Sequence, residues 1–379
     1  MKGIAGTGAL AVPYAVSQTG IILAIFFYIF FSFGCYYCAY SMIRYHEYLQ
    51  SPKHFLGLPG YYIVIFAILV TLWGASIGIT VVSTDFAFPD VSSSTIRIYC
   101  CLIITIIEII LVLFKNTKPL VYISSFGLVA LIVSFVILFI RGGIDYGISI
   151  TAINLFPADF YSLLRGIGVF IYTLGYILFM FPLYKALDTQ YRPRASSAVL
   201  AALILMTCLY LFIGIILFCI FQAHPLGVQS NILRNLDPTS VDTSIISIAM
   251  MVSCLGQYPL TLLSVFEIVE TPIHHRKENS LFVTDCGRVS SRILQVILLS
   301  VISLLIPFFG SILSFIGSFT SMMVELVLPS LLNIMGYSYF KSKHAHLKLI
   351  ADSLFFTFFA ILMIICTYFS FIDLINTTQ

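Results

Sequence analysis

GIAGTGALAVPYAVSQTGIILAIFFYIFFSFGCYYCAYSMI, residues 3–43, holds no charged side chain over 41 positions. A hydrocarbon core of about 30 Å is crossed by roughly 20 helical residues, so this stretch has to cross twice, with Ser17-Gln18-Thr19-Gly20 as its turn. The rest of the chain has the same character. Of its 379 residues 60% are hydrophobic and 9% charged, against about 25% charged residues in a soluble domain. Apolar runs fall at about 3–17, 20–43, 59–83, 98–114, 119–140, 166–184, 197–221, 243–268, 293–308, 312–336 and 350–372, which predicts one transmembrane domain of eleven helices. The runs are long and continuously apolar, whereas barrel strands are short and alternate in polarity. The backbone is therefore satisfied inside helices, and the expected fold is an all-α polytopic membrane protein.

Lysine and arginine in short loops mark the cytoplasmic side. With the N-terminus inside, fourteen basic residues, from Arg44 and Lys53 to Lys341, Lys343 and Lys348, fall in cytoplasmic loops; four, Arg97, Arg141, Arg165 and Arg234, fall in outer ones. This bias predicts a cytoplasmic N-terminus and a C-terminus outside or in a lumen. The net charge of +3 is thus a topology signal and gives no reason to expect nucleic acid. Eight of the nine cysteines lie in apolar runs and Cys286 in a cytoplasmic loop, so no outer loop offers a disulfide pair. Cys35-Tyr36-Tyr37-Cys38 has redox spacing, but a thiolate inside an apolar helix is costly, and the pair reads as packing. The first segment carries a Gly/Pro pattern and no small-residue cleavage site, unlike a signal peptide.

Two runs are interrupted. Helix 1 has Gly6-Thr7-Gly8 followed by Pro13; helix 6 has Gly166-Ile167-Gly168, then Tyr172-Thr173-Leu174-Gly175 and Pro182. Glycine weakens a helix by about 1 kcal/mol and proline removes a hydrogen bond, and an opened backbone survives in lipid only against protein or a water-filled cavity. Breaks five helices apart are what a five-plus-five inverted repeat produces, and such segments point to a transporter's substrate site. Close helix packing is the ordinary reading of any single glycine. Two paired breaks, each beside a hydroxyl (Thr7, Thr173), favour a site.

KGIAGTGALAVPYAVSQTG resembles the helix 1 signature of the amino acid/auxin permease family, particularly its proton-coupled and vacuolar amino acid transporter branches. GVFIYTLGYILFMFPL is similar to the family's helix 6, and QSNILRNLD, YPLTLLSVFEIVE and IPFFGSILSFIGSFTSMMVELVLPSLLNI continue the likeness in order. The resemblance implies a LeuT-type fold with an eleventh helix, and secondary transport of amino acids driven by protons, with sodium as the alternative. It implies no cofactor, an amino acid as the small-molecule partner, and a plasma or vacuolar/lysosomal-type membrane as the residence. Three features depart from the family. Leu174 stands where helix 6 usually carries a Glu, and Tyr184 where an acid usually follows Pro-Leu. Only five residues precede Gly6, although reaching mid-membrane takes about ten. A start set too late accounts for this better than a helix 1 without its inner half, which would leave Lys2 deep in the membrane.

The candidate substrate-binding residues are Gly6, Thr7, Gly8, Ala9, Tyr172, Thr173 and Gly175. N–H groups at the start of the outer half of helix 1 would take a carboxylate, and carbonyls freed around Tyr172, Thr173 and Gly175 would take an ammonium. Glu325, midway along helix 10, is the acid nearest a helix centre and the coupling-ion candidate; the alternative is a structural hydrogen bond. Glu108 reads as structural, within reach of Lys115, Glu267 as a solvated helix end, and Asp352 as interfacial. All seven histidines fall in expected loops, with no zinc-ligand spacing. Transport of small neutral amino acids is the leading function. A non-transporting amino acid sensor using the same site is the rival, and the short loops offer no recognisable docking domain or obligate protein partner. A channel lacks a polar stripe, and an enzyme lacks a converging nucleophile and base.

Overall fold

The computed structural model describes residues 8–44, 52–87, 94–114, 117–147, 154–175, 184, 187–188, 190–222, 224–225, 227–270, 283, 285–306, 308–336 and 345–378. They form an all-α polytopic architecture. In chain order the helices are α1 (Gly8–Thr19), α2 (Ile21–Arg44), α3 (Pro52–Ala87), α4 (Ser94–Val112), α5 (Thr117–Asp145), α6 (Phe160–Thr173), α7 (Ala195–Phe221), α8 (Val241–Glu270), α9 (Cys286–Leu305), α10 (Phe309–Met335) and α11 (Ala345–Thr378). Among the described residues, nine are long and apolar enough to cross a membrane, and α1 and α6 are shorter.

Local chemistry explains the helix ends. Gly20, with φ +72°, turns the chain between α1 and α2; a Cβ there would lie 2.6 Å from the carbonyl oxygen of Leu155. Gly57 (φ +67°) kinks α3, so the first residues of that helix stand apart from its apolar span. Asp159 caps α6, accepting from the Ser162 N–H at 2.6 Å. Helix α9 starts at Cys286, before the apolar run at 293, because Arg288 and Arg292 are buried helix residues and not loop residues.

Burial sorts the helices. In the most apolar 18-residue stretch of α10, 83% of residues are buried, whereas in that of α11 the share is 17%, so α10 is central and α11 peripheral. Helix α1 packs on α6 and α7, and α2 packs on α7; α8 packs on α5 and α3, with α9 against α3 and α4. Helix α10 lies between these groups, touching α3, α6 and α11. The approach of α6 to α10 requires two glycines: a Cβ on Gly168 would lie 2.4 Å from the Ser314 carbonyl oxygen, and one on Gly317 1.8 Å from that of Gly168. From Gly317 to Ser321 and from Met323 to Val327, α10 is wound as a π-helix.

Candidate functional site

The described part of α1 opens at Gly8 and α6 closes at Thr173, and these ends meet: a Cβ on Gly8 would lie 2.9 Å from the Thr173 Cγ2. At the end of α6 the Leu174 N–H is shared between the Phe170 and Ile171 carbonyls at 3.2 Å each, and the Gly175 N–H reaches the Tyr172 carbonyl at 3.2 Å. The last turn tightens and stops. The C-terminal end of α6, negative in its dipole, therefore lies beside Gly8, the first described residue of α1.

The helix 6 glycines divide into two kinds. Gly166 and Gly168 interrupt nothing; the helix runs through them, and a Cβ on Gly166 would lie 2.4 Å from the Thr19 Cγ2 of α1. They are the packing glycines, and the α-helix ends later, at Thr173 before Gly175. Residues 176–183, with Pro182, lie outside the described residues, as do Gly6 and Thr7.

Thr173 is buried, its hydroxyl donating to the Phe170 carbonyl at 2.7 Å and lying 2.7 Å from the Tyr28 hydroxyl of α2. Tyr28, fully buried, carried no signal in an evenly apolar helix. Ala9 is buried in α1. Tyr172 is half-buried and faces α10, its Cβ 3.0 Å from where a Gly317 Cβ would stand. Glu325, 1% exposed, belongs to the π-helical turn of α10, and its Oε1 lies 3.9 Å from where a Cβ on Gly175 would stand. Gly8, Thr173, Gly175 and Glu325 thus converge from α1, α6 and α10. A π-turn widens the helix and is frequent at functional sites; no periodicity announced it.

On the face that carries Arg97, Arg141, Arg165 and Arg234, a cavity of about 490 Å³ is lined by Tyr14, Gln18, Arg165, Gln222, Gln229 and Asp373 among others. Gly8 and Thr173 do not line it. Tyr14, six residues beyond Gly8, is about 9 Å along α1 from that end. Arg165 Nη2 pairs with Asp373 Oδ1 at 2.8 Å and its Nη1 donates to the Tyr14 hydroxyl at 3.2 Å, while Ser311 donates to Asp373 Oδ2 at 2.8 Å. One ion pair joins α1, α6, α10 and α11 beside the void.

The other acids have specific partners. Glu108, fully buried, accepts from the Thr80 hydroxyl at 2.9 Å; Lys115 lies outside the described residues. Asp352 is buried, accepting from the Tyr37 hydroxyl at 2.6 Å. At the opposite face from Arg165, Arg292 grips Glu270 through Nε at 2.6 Å and Nη2 at 3.1 Å, donates to the Val112 carbonyl at 2.8 Å, and stacks 4.5 Å from the Phe266 ring centre. The clamp joins the ends of α4, α8 and α9.

Residues 1–372 match the family model described as transmembrane amino acid transporter protein. The chain belongs to that family. Among curated relatives, amino acid transporter AVT1E of Arabidopsis thaliana is 24% identical over 350 residues, covering 86% of this chain and 64% of the relative. Amino acid transporter ANT1 of the same plant is 24% identical over 363 residues, 86% of this chain and 81% of the relative. Vacuolar amino acid transporter 4 of Saccharomyces cerevisiae (strain ATCC 204508 / S288c) is 24% identical over 389 residues, 89% of this chain and 52% of the relative. The chain spans less than two thirds of the length of the first and last of these.

Proposed function

We propose that the chain is a secondary active transporter of small neutral amino acids, working by alternating access around the facing ends of α1 and α6. The observation that carries this reading is the meeting of Gly8 and Thr173 beside the Glu325 carboxyl. A zwitterion brings one charge of each sign. In this reading its carboxylate is received by the N–H groups of Gly8, Ala9 and Leu10, where the described part of α1 begins, and its ammonium by the carbonyls at the negative end of α6. Ala9 and Thr173 are both buried, which suits a small substrate.

Protons are the coupling ion in this reading, with sodium as the alternative. Leu174 puts no acid at the end of α6, and Glu325 brings one to the same place from α10. In lipid, an acid at this depth is expected to face a substrate or ion route. The cavity beside Arg165 is the approach from outside or the lumen, and the Arg165–Asp373 pair bounds it. Eleven spans in a LeuT-type five-plus-five arrangement, a cytoplasmic N-terminus and an outer or lumenal C-terminus complete the assignment; the membrane is vacuolar-type or plasma membrane.

The test is uptake of a panel of labelled amino acids into proteoliposomes under imposed proton and sodium gradients. Accumulation that collapses when the proton gradient alone is dissipated supports the proposal. Saturable binding without uptake under any gradient would replace it with an amino acid sensor.

A further inference from the structure

Four arginines on the Arg165 face pair with three aspartates. Arg141 has Asp242 and Arg165 has Asp373, one to one. Asp85, near the end of α3, is shared: Arg234 Nη2 lies 2.9 Å from its Oδ1 and Arg97 Nη2 3.6 Å from the same oxygen. Among the described residues, one carboxylate between two guanidinium groups leaves a positive charge in surplus.

The surplus sits at a cavity of about 370 Å³, whose lining includes Asp85, Arg97, Asn231, Arg234 and Ser247; among the described lining residues Asp85 is the only acid. A second, independent observation concerns unmet hydrogen bonds. Arg97 Nε and Nη2 are buried without a hydrogen-bond acceptor, and Ser247, 2% exposed, has a buried hydroxyl with no partner. Buried donors left unpaired carry a desolvation penalty, greatest for charged groups. Both observations ask for an acceptor at the same place.

We propose that this cavity binds a small monovalent anion, held by Arg97, Arg234 and the Ser247 hydroxyl. The charge count sets the class. One negative charge beside Asp85 balances two guanidinium groups, whereas a dianion would leave the pocket negative. The anion joins the end of α3, the first turn of α4, the 3-10 turn Ile232–Asn235 and the second turn of α8, so it braces one face of the helices packed around α8. This site is separate from the facing ends of α1 and α6, and its test does not depend on transport.

The full chain is purified and its thermal midpoint followed while chloride replaces gluconate, a larger anion whose carboxylate and five hydroxyls cost more to strip of water, at constant ionic strength so that screening is unchanged. The expected result is a saturating rise in midpoint with chloride, since a ligand held only by the folded state stabilises it. Arg234→Gln leaves Asp85 to Arg97 alone and should abolish the rise; because Arg234 is half-exposed, this variant is expected to fold even if Arg97→Gln does not. Ser247→Ala should weaken the apparent chloride affinity roughly tenfold, the loss of one hydrogen bond to an ion. Arg141→Gln, which breaks a one-to-one pair on the same face, should keep the rise. Identical midpoints in chloride and gluconate would overturn the proposal and leave water or a lipid headgroup as the occupant. A rise retained in Arg234→Gln, or lost equally in Arg141→Gln, would overturn it too.

Discussion

Leu174 caps the end of α6 one residue before Gly175, and the Glu325 carboxyl comes from α10 to within 3.9 Å of where a Cβ on Gly175 would stand. In the proposed mechanism, Glu325→Gln keeps the shape and removes the ionisable proton. Uptake driven by a proton gradient should then lose its pH dependence while exchange of labelled for unlabelled substrate persists. Unchanged pH dependence would end the role proposed for Glu325. Asp159 makes a smaller, independent prediction. Its hydrogen bonds from Ser162 hold its carboxyl below the ordinary range. A carboxyl with a depressed folded pKa stabilises above its unfolded value of about 3.9 and ceases to as pH falls through the folded value. Asp159→Ala should therefore lower stability by about 0.5–2 kcal/mol near neutral pH, and the gap from wild type should close in strong acid. Thermal melts of both proteins across pH would show it.

Glycine contacts separate the helices that can shift from those that cannot. Gly317→Ala would put a methyl group on the Gly168 carbonyl, where backbone has no flexible end to yield. It should cost about 1–3 kcal/mol or lower the folded yield. Gly143→Ala in α5, with nothing within 4 Å, should be neutral or gain up to about 1 kcal/mol of helix propensity. Equal effects in a paired melt would show that the α6–α10 approach is looser than described. The helices were legible in the sequence because an apolar run is a local signal. The Gly/Pro pattern likewise drew attention to Gly8, Thr173 and Gly175. What local pattern could not show was which glycines pack and which stand at an end, since Gly166 and Gly168 differ from Gly175 only in what lies across from them. The same limit hid Tyr28, 145 residues from the hydroxyl it meets, and Arg292, whose charge ended an apolar run in the sequence although Glu270 allows it inside.

At the scale of the molecule, the Glu270–Arg292 clamp holds together the face opposite Arg165. Removing one partner of a buried pair strands the other, so Glu270→Gln should lower stability by about 3–5 kcal/mol, and the double variant Glu270→Leu, Arg292→Met should recover much of it. Thermal midpoints of the single and double variants decide between a clamp and a dispensable contact. Helix α11 leads elsewhere. It lies at the edge of the bundle, yet it supplies Asp373, which grips Arg165 beside the cavity of about 490 Å³. A helix wrapped in acyl chains tilts when the bilayer thickens or thins. Its aspartate would travel with that tilt, so the lipids around the protein have a hand on the guanidinium of α6, and sterol content or chain length becomes a dial on how readily that side opens.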